Sequence, residues 1–143
     1  MKKIIYIDLD NTLADYLALA QEMNVEPKDA KRIQGFFAQL QPMPGAIDAY
    51  NRLAEHFDVY ILSTAPWNNP SAWSDKVIWI TKHLDDVFHK KVVITHCKHL
   101  CKGDILIDDR DKHGVTEFEG EWIHFGSERF PNWETVLEYL LTI

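Results

Sequence analysis

Asp8 and Asp10 stand one residue apart, directly after the apolar run Ile4-Ile5-Tyr6-Ile7. Side chains two apart in an extended chain point the same way, so both carboxyls can face the mouth where such a strand ends. Two carboxylates this close repel, and a divalent cation relieves the repulsion. Hard oxygen ligands with room for water and phosphate oxygens suit Mg²⁺. An aspartate can also attack phosphorus and form an aspartyl-phosphate, while a second carboxyl protonates the leaving alcohol and then deprotonates water. A solvated acidic turn would have the same sequence, so the other strand ends decide between the two.

Ile105-Leu106-Ile107-Asp108-Asp109 is a second apolar run ending in acid. Four carboxylates converging on one mouth would be costly without a cation. Val59-Tyr60-Ile61-Leu62 ends in Ser63-Thr64, whose hydroxyls and backbone N–H groups can hold phosphate oxygens. Positive charge for a phosphoryl oxygen would come from a lysine after Val92-Val93-Ile94-Thr95. Lys98 and Lys102 both lie close enough, and spacing alone leaves the choice open.

The elements that must position these groups alternate along the chain. Short apolar strands are expected at 4–7, 59–62, 92–95, 105–107 and 122–125, with helices at 45–56, 71–84 and 133–141. This pattern predicts an α/β fold with a parallel sheet of about five strands and helices on both faces. Ligands of such sheets sit beyond the carboxyl ends of the strands, where the polar residues above all fall. Residues 13–43 break the alternation. They read as two helices, 13–23 and 28–40, inserted after the first strand as a small cap on a single domain spanning 1–143.

Composition excludes several classes. The chain has 143 residues, 46% apolar and 26% charged, as expected of one globular domain. Its 22 acidic against 15 basic side chains give a formal charge of −7, which disfavours a nucleic-acid polymer and leaves a small phosphorylated substrate. Two cysteines, Cys97 and Cys101, suit a reducing, cytoplasmic compartment. The apolar start is cut short by Asp8 and Asp10, so neither an export signal nor a membrane span is expected. His96, Cys97, His99 and Cys101 could suggest zinc, but closed zinc sites draw on two separated ligand pairs, and a loop with an inward-packed cysteine is the simpler expectation. Among the aromatics, Trp79, Trp122 and Trp133 read as core, while Tyr16, Phe36, Phe37 and Trp67 flank the cap or the loop after 59–62 and can line a substrate pocket.

Asp8-Leu9-Asp10-Asn11-Thr12, Ser63, Lys98 and Asp108-Asp109 resemble, in order, the four motifs of the haloacid dehalogenase superfamily. The resemblance spans the chain. It implies a Rossmann-like core and a Mg²⁺-dependent phosphatase in which Asp8 is the nucleophile and Asp10 the general acid/base. It implies that Asp8, the carbonyl of Asp10 and Asp109 hold Mg²⁺ with Asp108 behind them, and that Ser63 and Lys98 bind phosphate. Within the superfamily the chain most resembles the 5′(3′)-deoxyribonucleotidases. Leu13-Ala14-Asp15-Tyr16, Phe36-Phe37, Pro42-Met43-Pro44-Gly45-Ala46 and Gly103-Asp104-Ile105-Leu106-Ile107-Asp108-Asp109-Arg110 carry that likeness. The spacing of ten between Lys98 and Asp108 selects Lys98 over Lys102. The implied substrate is a deoxynucleoside monophosphate, with another small phosphorylated metabolite as the alternative. An inactive binding module is the other-class alternative, opposed by competent side chains at every motif position. The chain departs from the family in a shorter cap and in Asn11, which stands where glycine is usual. Asparagine is the next most tolerant residue of a left-handed backbone.

Overall fold

A computed structural model describes residues 1–84 and 90–142. Five strands, β1 (Ile4–Ile7), β2 (Asp58–Ser63), β3 (Val92–Ile94), β4 (Ile105–Asp108) and β5 (Glu121–His124), form one sheet in the order β3-β2-β1-β4-β5. Every pairing is parallel. The chain moves outward from β1 to β3, then returns to place β4 on the other side of β1. The strand order therefore reverses at β1, and the crevice at such a reversal is where ligands bind. Ile7 lies level with Ile61 and Ile107, so Asp8, Leu62 and Asp108 follow at one height.

The strands read as continuous apolar runs because both faces are covered. Ile5, Ile7, Ile61, Ile107 and Ile123 belong to the larger core, shared with α3 (Ala46–His56), α4 (Pro70–His83) and α5 (Trp133–Leu140). Burying each such side chain contributes about 1.5–3 kcal/mol. Tyr6, Leu62 and Leu106 point the other way into a smaller core with Val115 and Phe118. That second face is covered by single 3-10 turns, Lys98–Leu100 and Val115–Glu117, whereas the first carries the α-helices.

The helices begin and end as local chemistry dictates. Gly45 adopts φ +77 just before α3, a left-handed geometry that glycine takes without strain. Ala46, Ala49, Tyr50 and Leu53 of α3 are buried, the spacing of one helical face. Pro70 opens α4, and Asn132 and Thr135 form a reciprocal cap at the start of α5.

Between β1 and α3 lie α1 (Tyr16–Glu22), the one-turn α2 (Pro27–Ala30) and a 3-10 turn, Phe37–Gln39. The helix expected over 28–40 is therefore broken. Gly35 sits at φ +78, which no right-handed helix can continue through, and its N–H turns outward to Ser71 Oγ. The segment is tied to α4 instead. Asn69 Nδ2 donates to the carbonyls of Lys31 and Ile33 at 2.8 and 3.3 Å, and Trp79 Nε1 donates to Leu40 O at 2.8 Å. Trp79 and Trp133 are buried as expected, while Trp122 is only half-buried. Among the described residues no helix is long and apolar enough to cross a membrane.

Candidate active site

The end of β1 is a tight loop. Leu9 O accepts from the N–H groups of Thr12, Leu13 and Ala14, and Asn11 takes φ 58, the left-handed geometry that its place in the sequence suggested. Trp133 Nε1 donates to Thr12 O at 2.8 Å and clamps the loop from α5. Asp8 N–H donates to Ile107 O at 2.9 Å, continuing the ladder for one residue and fixing where the Asp8 side chain starts.

Asp8, Asp108 and Asp109 each offer a carboxylate oxygen, and these oxygens lie within 4.8 Å of one another. They form the one group with metal-like geometry among the described residues. Lys98, 3% exposed, reaches between them, donating to Asp8 Oδ1 at 3.0 Å and to Asp108 Oδ2. Lys102, the rival lysine, is exposed. Lys98 is held by its own backbone N–H on His113 O at 2.7 Å. Arg110 N–H donates to Asp108 Oδ1 at 3.0 Å, and Trp122 Nε1 to Asp108 O at 3.0 Å.

The acids divide electrostatically. Burial pushes the Asp8 carboxyl up, but Lys98 beside it, with hydrogen bonds from Asp109 and Lys98, more than offsets this and holds it below the usual range. Burial, then the charge of Asp8, pushes Asp108 up to about 7 and Asp109 up to about 8. Burial would lower Lys98, yet Asp8 and Asp108 raise it above the ordinary lysine value. Asp8 is thus the carboxylate most firmly kept ionised.

Asp10 has a partner that sequence reading missed. Lys76 of α4 donates to Asp10 Oδ2 at 2.7 Å and is 0% exposed, with its ammonium 4.3 Å from the Phe37 ring centroid. Asp10 Oδ1 is buried without a partner. Burial raises the Asp10 pKa despite the charge of Lys76. The one sequence signal for Lys76 is its place among Ala72, Trp79 and Ile80 on the apolar face of α4, where a lone lysine demands a buried acid.

Ser63 ends β2 and Thr64 follows it; of the two, Thr64 is among the residues lining the cavity with these groups. Ser63 Oγ is buried and unpartnered. Thr64 Oγ1 donates to Thr95 O at 2.7 Å. Asp8, Asp10, Thr64, Lys98, Asp108 and Asp109 line a cavity of about 570 Å³, which Tyr16, Phe37 and Trp67 also line. Its opposite wall comes from the 13–43 segment, through Tyr16, Leu17, Pro27, Lys28 and Lys31. Cys97 is exposed and Cys101 half-buried, packed against the smaller core.

An oxygen-only donor set, with no nitrogen or sulfur, has the chemistry that Mg²⁺ prefers. Together with an unpartnered Asp10 oxygen, the Asp8 carboxylate and a buried lysine, it offers the kinds of group that phosphoryl transfer uses.

A family profile described as 5′ nucleotidase, deoxy (pyrimidine), cytosolic type C protein matches residues 21–136. A protein of Vibrio phage KVP40, named a candidate 5′(3′)-deoxyribonucleotidase, is 44% identical over 97% of this chain and 85% of its own length. The 5′(3′)-deoxyribonucleotidase of Bacillus subtilis is 28% identical over 99% of this chain and 100% of its own. Among solved structures, the candidate haloacid dehalogenase-type hydrolase YfnB of Bacillus subtilis, bound to magnesium, superposes with a TM-score of 0.66 at 12% identity, covering 97% of this chain and 98% of that one. This last likeness concerns the fold alone.

Proposed function

The chain belongs to the 5′ nucleotidase, deoxy (pyrimidine), cytosolic type C family, and we propose that it hydrolyses deoxynucleoside 5′- or 3′-monophosphates through an aspartyl-phosphate on Asp8. The observation that carries this reading is the carboxylate of Asp8, kept ionised by Lys98 at 3.0 Å in the cavity that Asp10 also lines.

Asp8, the backbone carbonyl of Asp10, and Asp109 would hold Mg²⁺, with Asp108 behind them. The cation supplies charge neutralisation for the phosphoryl oxygens. Asp8 attacks phosphorus in line with the leaving oxygen, forming a P–O bond to its carboxylate as the ester P–O bond breaks. Asp10 gives its proton to the leaving alcohol. It then takes a proton from the water that attacks the aspartyl-phosphate, which regenerates Asp8 and releases phosphate. A raised Asp10 pKa suits the protonated start of this cycle. Lys98 and Ser63 bind the phosphoryl oxygens, while Lys76 orients Asp10. Residues 13–43 form the wall opposite the strand ends, tied to Asn69 and to Trp79 of α4.

The test is turnover of a panel of deoxynucleoside monophosphates and sugar phosphates, with Mg²⁺ and with chelator. Nucleotides should be preferred, and Asp8→Asn should lower turnover by a factor on the order of 10⁴ or more. The variant should still fold, because Lys98 keeps Asp108 as a partner. Near-normal turnover by Asp8→Asn would remove Asp8 as nucleophile. Equal use of sugar phosphates would move the substrate to another phosphorylated metabolite.

A further inference from the structure

We propose that Trp67 is the platform on which the substrate's nucleobase stacks, so that base recognition belongs to the loop after β2 and not to the short helical segment opposite. The assignment rests on the nucleotidase reading above. It concerns only where the base goes.

Trp67 is 76% exposed. One exposed apolar side chain means little alone. This one is also held in place. Its ring makes edge-to-face contacts with Trp73 at 6.3 Å and with His96 at 5.7 Å between centroids. Trp73 Nε1 donates to Pro66 O at 3.2 Å, which anchors the residue immediately before Trp67. Pro66 itself has a fixed φ. A ring so exposed leaves most of its faces open, and one so braced loses little rotamer freedom when a ligand stacks on it.

Position adds a second argument. Trp67 lines the cavity that holds Asp8 and Lys98, and it also lines an adjoining cavity of about 260 Å³ with Lys31, Arg32, Asn68 and Asn69. It is the wall between the reacting end and a polar groove. A nucleoside monophosphate with its phosphate on Lys98 can extend its base along this wall.

The aromatics across the cavity are already engaged. The Tyr16 hydroxyl donates to Pro27 O at 2.5 Å, and its ring packs on Phe36 and Phe37. Phe37 is buried and lies under the ammonium of Lys76. Those rings shape the wall. Of the Tyr16, Phe37 and Trp67 rings, Trp67 alone is exposed. Because every base has a π-face, such a platform tolerates different bases, and the ligand class it fits is the nucleoside monophosphate in general.

The experiment compares Trp67→Ala and Trp67→Phe with wild type, on thymidine 5′-monophosphate and on 2-deoxyribose 5-phosphate, which carries the same ester without a base. Trp67→Ala should raise KM for the nucleotide about tenfold, the order of effect for losing one base–aromatic stack. Its kcat should stay within about twofold, and the sugar phosphate should be unaffected. Trp67→Phe should restore most of the nucleotide affinity. If the wild type prefers the nucleotide and Trp67→Ala leaves that preference intact, the platform assignment is overturned and the nucleotidase reading stands. If the wild type does not distinguish the two substrates, or turns over neither, both fall together.

Discussion

The floor and the roof of the cavity are built by different kinds of interaction. The floor is the row of strand ends at β1, β2 and β4, where backbone ladders fix Asp8 and Asp108 at one height with Ser63 one residue further on, and Lys98 joins Asp8 to Asp108. The roof, residues 13–43, has only short helical pieces and two left-handed turns, Asn24 and Gly35. It keeps its shape through Asn69, which caps α4, and through Ser71, Lys76 and Trp79 of α4. Chemistry sits where the geometry follows from local strand structure. The shape of the roof depends instead on contacts between distant parts of the chain. The floor can keep its geometry while the roof varies.

The comparison is tested most severely at the floor. If Asp109 helps to hold Mg²⁺, the cation binds only the folded chain and must stabilise it by mass action. Mg²⁺ at about a hundredfold excess over its dissociation constant should add about 2.7 kcal/mol. For a domain of this size that raises Tm by several degrees, roughly 5–10 °C. Calorimetry on wild type and Asp109→Asn, with Mg²⁺ and with chelator, measures the shift. It should be largely lost in the variant, along with turnover. An equal shift in both proteins would take Asp109 out of the cation site and leave the floor without its proposed role.

Lys76 joins floor to roof and should have an intermediate effect. Its ammonium bonds Asp10 and lies on Phe37, so one side chain couples the proposed proton donor to the cap wall. Lys76→Met keeps the stem's volume and removes the charge. Asp10 then loses the bond that aims it, part of a contribution that for acid–base groups reaches about 10²–10⁴. A fall in kcat of roughly tenfold to hundredfold, with KM nearly unchanged, is expected from steady-state kinetics. A rise in KM alone would make Lys76 a substrate-binding residue instead and would move it to the roof's side of the comparison.

These contrasts also explain what could be read from the chain. Five strands, three long helices and the ordered acids at strand ends were legible because each follows from a local run of apolar residues ending in a polar one. Asn11 was legible only through the family resemblance, in which glycine is usual at its place. Lys76 was not, since its partner is 66 residues away and no short motif joins them. The break in 28–40 was missed because its helical periodicity outweighed Gly35, whose N–H finds its partner on α4. The Thr64 hydroxyl bond to Thr95 O was not legible because that pairing is set by topology. The legible groups are fixed by neighbours in sequence, and the others by neighbours in space.

Asn11 lies on the border between these regions and should show the smallest effect. Its left-handed backbone, φ 58, closes the loop beneath Asp8, and its Oδ1 accepts from Leu17 N–H at 3.2 Å in the first turn of α1. Asn11→Gly relieves the backbone but deletes that bond and loosens the unfolded chain. These terms oppose one another at about 1 kcal/mol or less each, so stability should change by less than about 1 kcal/mol and kcat by less than about twofold. Asn11→Ala loses the bond and keeps the strain, at about 1–2 kcal/mol for the backbone alone. Urea unfolding of the two variants separates the contributions, with alanine the more damaging. If glycine proves as costly as alanine, the Leu17 bond outweighs the backbone term, and the roof supports the floor more strongly than the floor's own ladder suggests.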